Sequence, residues 1–168
     1  LAGQALATHG KLTAKGSAER FHADGTLAIG PPGKLSDLAL DLDGTPDAIT
    51  LKRLALVQSG KTGSNGRLDA QGTITLKPTV GWQLTARADR LDPGAFAAEW
   101  PGALAFDLAT NGTLTDQGPD ATLKIDRLGG SLRKRPLSGS ADLRIKPGYI
   151  VDGALDLAAG KSRIDVTG

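Results

Sequence analysis

Few residues in this chain are of the types that do covalent chemistry. There is no Cys, and His occurs only at His9 and His22. The absence of Cys excludes thiolate nucleophiles, thiolate metal ligands and disulfides. Neither His has a second His, or a carboxylate pair, at a spacing that makes a metal site. Both fall on the polar parity of their strands and read as solvated side chains rather than general bases. Asp41 and Asp43 lie two apart, a spacing that could make an acid–base pair. On a strand the same spacing also puts two carboxylates on one hydrated face. No Gly-x-Ser-x-Gly elbow, His-Glu-x-x-His motif or phosphate-cradling glycine loop occurs. No catalytic residue, metal site or cofactor is therefore expected.

Charge gives no partner either. Twenty basic residues nearly cancel eighteen acidic ones, leaving +2. Nucleic-acid binding needs a concentrated positive surface, so no nucleic-acid partner is expected. The one local concentration is Arg133, Lys134 and Arg135, with Arg127 nearby. It reads as charge protecting an exposed sheet end.

The elements that carry these residues are marked by punctuation. The 168 residues include 23 Gly and 9 Pro but only three Phe, two Trp and one Tyr, which means many turns and little bulk for a conventional core. Between the turns the side chains alternate. Gly66, Leu68, Ala70, Gly72, Ile74 and Leu76 interleave with Arg67, Asp69, Gln71, Thr73, Thr75 and Lys77, a period of two that a helix would scramble. The same separation sets Leu38, Leu40 and Leu42 against Asp37, Asp41 and Asp43, and Trp82 and Leu84 against Gln83 and Thr85. Leu104, Phe106 and Leu108 oppose Asp107, while Leu123 and Ile125 oppose Lys124. Leu143 and Ile145 oppose Asp142 and Arg144, and Val151, Leu155 and Leu157 oppose Asp152 and Asp156. Ile164 and Val166 oppose Arg163 and Asp165; near the start, Leu6, Gly10 and Leu12 oppose His9 and Lys11.

About eleven short strands follow, joined by turns such as Gly30-Pro31-Pro32-Gly33, Ser64-Asn65-Gly66 and Lys146-Pro147-Gly148. Such short links make hairpins, so the predicted fold is all-β, a long antiparallel meander with one apolar face. Met is absent and the chain ends in what reads as a strand. Residues 1–168 are accordingly expected to be a single piece of a longer repetitive β-structure. No run approaches the roughly 18 apolar residues that span a membrane.

One stretch, about 91–101, breaks the alternation. Asp92 can cap a helical turn opened by Pro93, with Phe96 and Trp100 sharing a face at i, i+4. It is expected to plug one end of the sheet. The apolar parity is rich in Leu, Ala and Gly and poor in the aromatics that fill a sandwich, so a curved sheet with an incompletely filled interior is expected. A lipid acyl chain would suit that interior. A closed structural or adhesive β-domain without cargo is the alternative.

The stretch Leu91-Asp-Pro-Gly-Ala-Phe-Ala-Ala-Glu-Trp-Pro-Gly102, running on to Gly112, resembles a segment of the TamB family. So do Gly130-Ser-Leu-Arg-Lys-Arg-Pro-Leu-Ser-Gly139 and the closing Gly160-Lys-Ser-Arg-Ile-Asp-Val-Thr-Gly168. The resemblance covers about 48–168 and is weakest over 1–47. It implies a sheet curled into a β-taco or half-pipe with an apolar concave face. It further implies a periplasmic location in a Gram-negative bacterium, with the parent protein anchored in the inner membrane by parts outside these residues. The implied partner is a TamA-like outer-membrane barrel of the Omp85 class. The implied cargo is phospholipid acyl chains or nascent outer-membrane β-strands, in lipid transport between the membranes and in outer-membrane protein and autotransporter assembly. The family supplies no catalytic motif.

Overall fold

Each alternating stretch becomes a strand, and each glycine or proline cluster becomes a link to an antiparallel neighbour. The structure, a computed structural model, describes residues 7–31, 35–59 and 65–168. Leu6, Pro32, Gly33 and Ser64 lie outside the described residues. The strands are β1 Ala7–Gly16, β2 Phe21–Gly30, β3 Ser36–Gly44, β4 Ala48–Gln58, β5 Gly66–Thr75 and β6 Gly81–Leu91. After a 3-10 turn at Pro93–Ala95 come β7 Gly102–Thr115, β8 Gly118–Leu132, β9 Arg135–Lys146, β10 Ile150–Ala159 and β11 Ser162–Thr167. They form one eleven-stranded sheet in sequence order, every pair antiparallel. The predicted meander is what the chain builds.

The sheet is open. Among the described residues β1 and β11 do not pair, and every strand packs substantially only on its chain neighbours. A sandwich would need a second sheet, and there is none among these residues.

Burial reaches both faces of the sheet. Ala23, Leu56, Ala88, Ala121 and Ala141 lie on the apolar side and are buried, Ala88 to 4 % exposure, while Ala55, at 3 %, lies on the polar side. In a single flat layer an alanine has nothing above it; burial this deep requires the longer side chains around it to converge. Adjacent strands also require glycine at particular positions, as at Gly130. At φ 122° a Cβ added there would fall on the Ala103 carbonyl oxygen of β7, so only glycine fits. The open sheet is consistent with a half-pipe.

Three bulges shape it. In β4, β6 and β8 the ladder advances three residues against two, around Lys52–Arg53, Asp89–Arg90 and Asp126–Arg127. Each bulge sends two consecutive charged residues to the polar face and returns the next residue to the apolar face. A bulge increases local twist and bends its strand. Arg90 and Arg127 adopt left-handed φ values of 49° and 53° there. The first bulge also hides β4 from the alternation test: Ile49 and Leu51 keep one parity, Leu54 and Leu56 the other.

Candidate functional site

Cross-strand partners share a face, so the register shows which side chains meet. One row runs through Leu12, Gly25, Leu40, Leu54, Ala70, Ala86, Leu108, Ile125, Ala141, Leu155 and Val166, one residue from each strand. No polar side chain interrupts it. A parallel row joins Leu42, Leu51, Gly72, Leu84, Thr110, Leu123, Leu143 and Gly153. Toward one rim Leu38, Leu56 and Leu68 are consecutive partners, as are Ala88 and Phe106, Leu91 and Leu104, and Leu157 and Ile164. Toward the other, Ile74 faces Trp82, and Ile145 faces Val151. The described strands therefore bring the alternating leucines, isoleucines and valines from Leu38 to Val166, with Trp82 and Phe106, onto one face. Leu76 is the exception, because β5 stops at Thr75 and Leu76 sits in the following link, its N–H on the Asp47 carbonyl.

The face is neither bare nor filled. Most of its Leu, Ile and Phe side chains are half-buried against each other. Toward the sheet edges exposure rises, to 54 % at Leu12 and 53 % at Val166. Trp82, half-buried, is neighboured by Gly112 and Ala121, and its Nε1–H donates to Thr110 Oγ1 at 3.1 Å.

The stretch after β6 is a short flap. Asp92 caps as predicted, its carboxylate accepting from Gly94 N–H at 2.9 Å, with Pro93 opening the turn. The 3-10 turn ends at Ala95, so the helical face expected to join Phe96 to Trp100 does not form. Phe96 is half-buried, whereas Trp100 is exposed and stacks under Arg133, 5.3 Å from guanidinium carbon to ring centroid. The flap is fastened by a residue that sequence reasoning missed. Gln58, buried at the end of β4, donates to the Asp92 carbonyl at 2.9 Å and accepts from Asp92 N–H at 2.7 Å. It reaches past β5 at Gly66, where a Cβ would strike the Gln58 amide oxygen. The signal was an amide on an otherwise apolar parity, concealed by the β4 bulge.

The polar face carries the charge. His22 Nδ1 lies 2.9 Å from Asp43 Oδ1, and Lys52 Nζ lies 2.7 Å from Asp43 Oδ2. Asp24 and Asp41 also flank His22. Hydrogen bonds from Lys52 and then His22 hold the Asp43 carboxyl below its usual range, and Asp43 raises Lys52 in return. Asp107 takes both Arg87 and Arg127, so Arg127 is engaged on this face and is not part of the 133–135 cluster. A cleft of about 580 Å³ between Lys52, Asp69, Arg87 and Asp107 lies among these charged side chains. Among the described residues no group of His, Asp and Glu has the arrangement of a metal site, and no helix is long and apolar enough to cross a membrane.

The described residues thus form an open single-layer antiparallel sheet with one continuous apolar face. Comparison with known families gives it a more specific place. Residues 2–168 match the family described as TamB, N-terminal domain, and the chain belongs to the TamB family, the TamB component of the translocation and assembly module. The match includes residues 2–47, where the resemblance read from the sequence is weakest. No curated protein and no solved structure matches the chain.

Proposed function

We propose that the apolar face is a track for phospholipid acyl chains passing between the inner and outer membranes. The observation that carries the reading is the row from Leu12 to Val166, apolar in all eleven strands and covered by no second layer. At roughly 4.8 Å per strand the track extends about 50 Å, longer than the ~30 Å core of a whole bilayer. A lipid tail would lie wholly within it. The TamB family supports the remainder of the reading: a periplasmic segment of an inner-membrane-anchored protein, working with a TamA-like Omp85 barrel. It also supports a share in outer-membrane protein and autotransporter assembly, in which apolar faces of nascent strands would use the same trough.

Leu143→Asp and Leu155→Arg test the acyl-chain track. In a closed core an unpaired ion costs several kcal/mol, comparable with the stability of the domain. On an open face the ion stays hydrated. The expected outcome is wild-type circular dichroism for both variants and loss of the phospholipid that native mass spectrometry finds on the wild-type chain. Folded wild type without lipid, or folded variants that keep it, would remove the reading.

A further inference from the structure

The apolar face carries one charge. Among the described strand residues of that parity every side chain is apolar, glycine or uncharged, except Arg135. Arg135 opens β9 opposite Leu132, at the rim to which the flap is fastened. Beside it, the link Arg133–Lys134 has φ values of 51° and 63°. Two left-handed residues make a type I′ turn, for which Asn-Gly is the favoured pair. Two long cationic side chains hold these positions at a cost in stability, and such costs cluster at functional sites. The turn is also fastened: Arg133 N–H donates to the Pro101 carbonyl at 2.7 Å, and its guanidinium lies over the exposed Trp100. Lys161, in the β10–β11 turn, stands at the same rim, tied there by Gly160 N–H on the Pro136 carbonyl at 2.8 Å. Among the described residues Arg133, Lys134, Arg135 and Lys161 pair with no carboxylate, and Glu99, next to Trp100 in the chain, pairs with no cation.

We propose that this rim is a headgroup site: an amphiphile with its acyl chains on the apolar face sets a phosphate-bearing anionic headgroup on Arg135, Arg133 and Lys134. The site deepens the acyl-chain reading and rests on it. A charged head cannot lie in the middle of an apolar face without losing hydration, so it must reach a rim. Among the described residues only here does the apolar parity itself end in a cation. Arginine forks match phosphate oxygens, and tryptophan suits the boundary between a wet head and dry tails.

The test offers the purified chain phosphatidylglycerol or diacylglycerol with identical tails and scores uptake by native mass spectrometry. Wild type should prefer phosphatidylglycerol by about tenfold, the scale of one partly hydrated charge-assisted hydrogen bond. Arg135→Gln, and separately R133N/K134G, should reduce that preference several-fold while diacylglycerol uptake stays at the wild-type level. R133N/K134G should also raise Tm, because the favoured turn pair replaces the costly one. Equal uptake of both lipids by wild type, or variants that keep the preference, would overturn the headgroup site and leave the acyl-chain track standing. Uptake of neither lipid would overturn both. Glycerol phosphate that competes as well as phosphatidylglycerol would make the rim a site for soluble phosphate and overturn the proposal.

Discussion

At the scale of single residues, the polar face is held by short-range pairing rather than by a core. Asp43 accepts from Lys52 and lies within hydrogen-bond distance of His22. Its carboxyl is held below the usual 3.8 in the folded chain. A carboxylate with a depressed folded pKa contributes stability that is present above the unfolded value and lost as pH falls through the folded one. Lys52, raised above 10.5, contributes stability below that value and loses it as pH rises through its folded pKa. Asp43→Asn should therefore lower Tm by a constant amount through the neutral range, with the difference shrinking toward zero below 3.8. Melting curves of both proteins from about pH 3 to about pH 8 check it. A difference that persists unchanged at the acid end would show that Asp43 acts through something other than its charge. His22 and the aspartates around it illustrate what a sequence leaves hidden. Their shared polar parity was legible, but which of them meet depends on the register of β2 against β3.

At the scale of elements, the alternation read from the sequence located most of the strands, because period-two patterning is a direct consequence of strand geometry. It passed over β4 for a physical reason. Lys52–Arg53 is a bulge, and a bulge exchanges the parity of everything beyond it. The readable sign is an apolar spacing of three enclosing two charges, as in Leu51 to Leu54, Ala88 to Leu91 and Ile125 to Leu128. The flap was legible as far as its cap at Asp92, whereas its fastening by Gln58 and the stacking of Arg133 on Trp100 are tertiary and were not. The bulges make a sharp prediction within one strand. Deleting Arg127 leaves Ile125-Asp126-Leu128, an unbroken alternation, so the face separation survives. Deleting Lys124 sets Leu123 beside Ile125 and turns half of β8 over. The second deletion should cost about 2–4 kcal/mol, or roughly 5–15 °C in Tm, and the first no more than about 1 kcal/mol. Equal losses would mean that the bulge is not what restores the parity.

At the scale of the molecule, the fold does something uncommon for a chain of this length: it buries almost no large side chain completely. Leu56 is the only large apolar side chain among the described residues that counts as core; the others are alanines. The sheet stays ordered through its ladders, its close glycine contacts and the convergence of half-buried leucines, and it leaves the apolar side open. The apolar parity was legible, but its openness was not, since leucines can also close a gap of about 10 Å between two sheets; it is the single-sheet topology that leaves this side uncovered among the described residues. The central claim, that this open face is the working surface, is tested most directly by placing a photocrosslinking residue at Leu40, Ala86, Ile125 and Leu155 along the inner row. Thr85 and Lys124 on the polar face serve as controls. With the chain folded and phospholipid supplied, all four inner positions should label lipid and the two outer ones should not. Labelling that is equal on both faces, or absent from the inner row, would contradict the account.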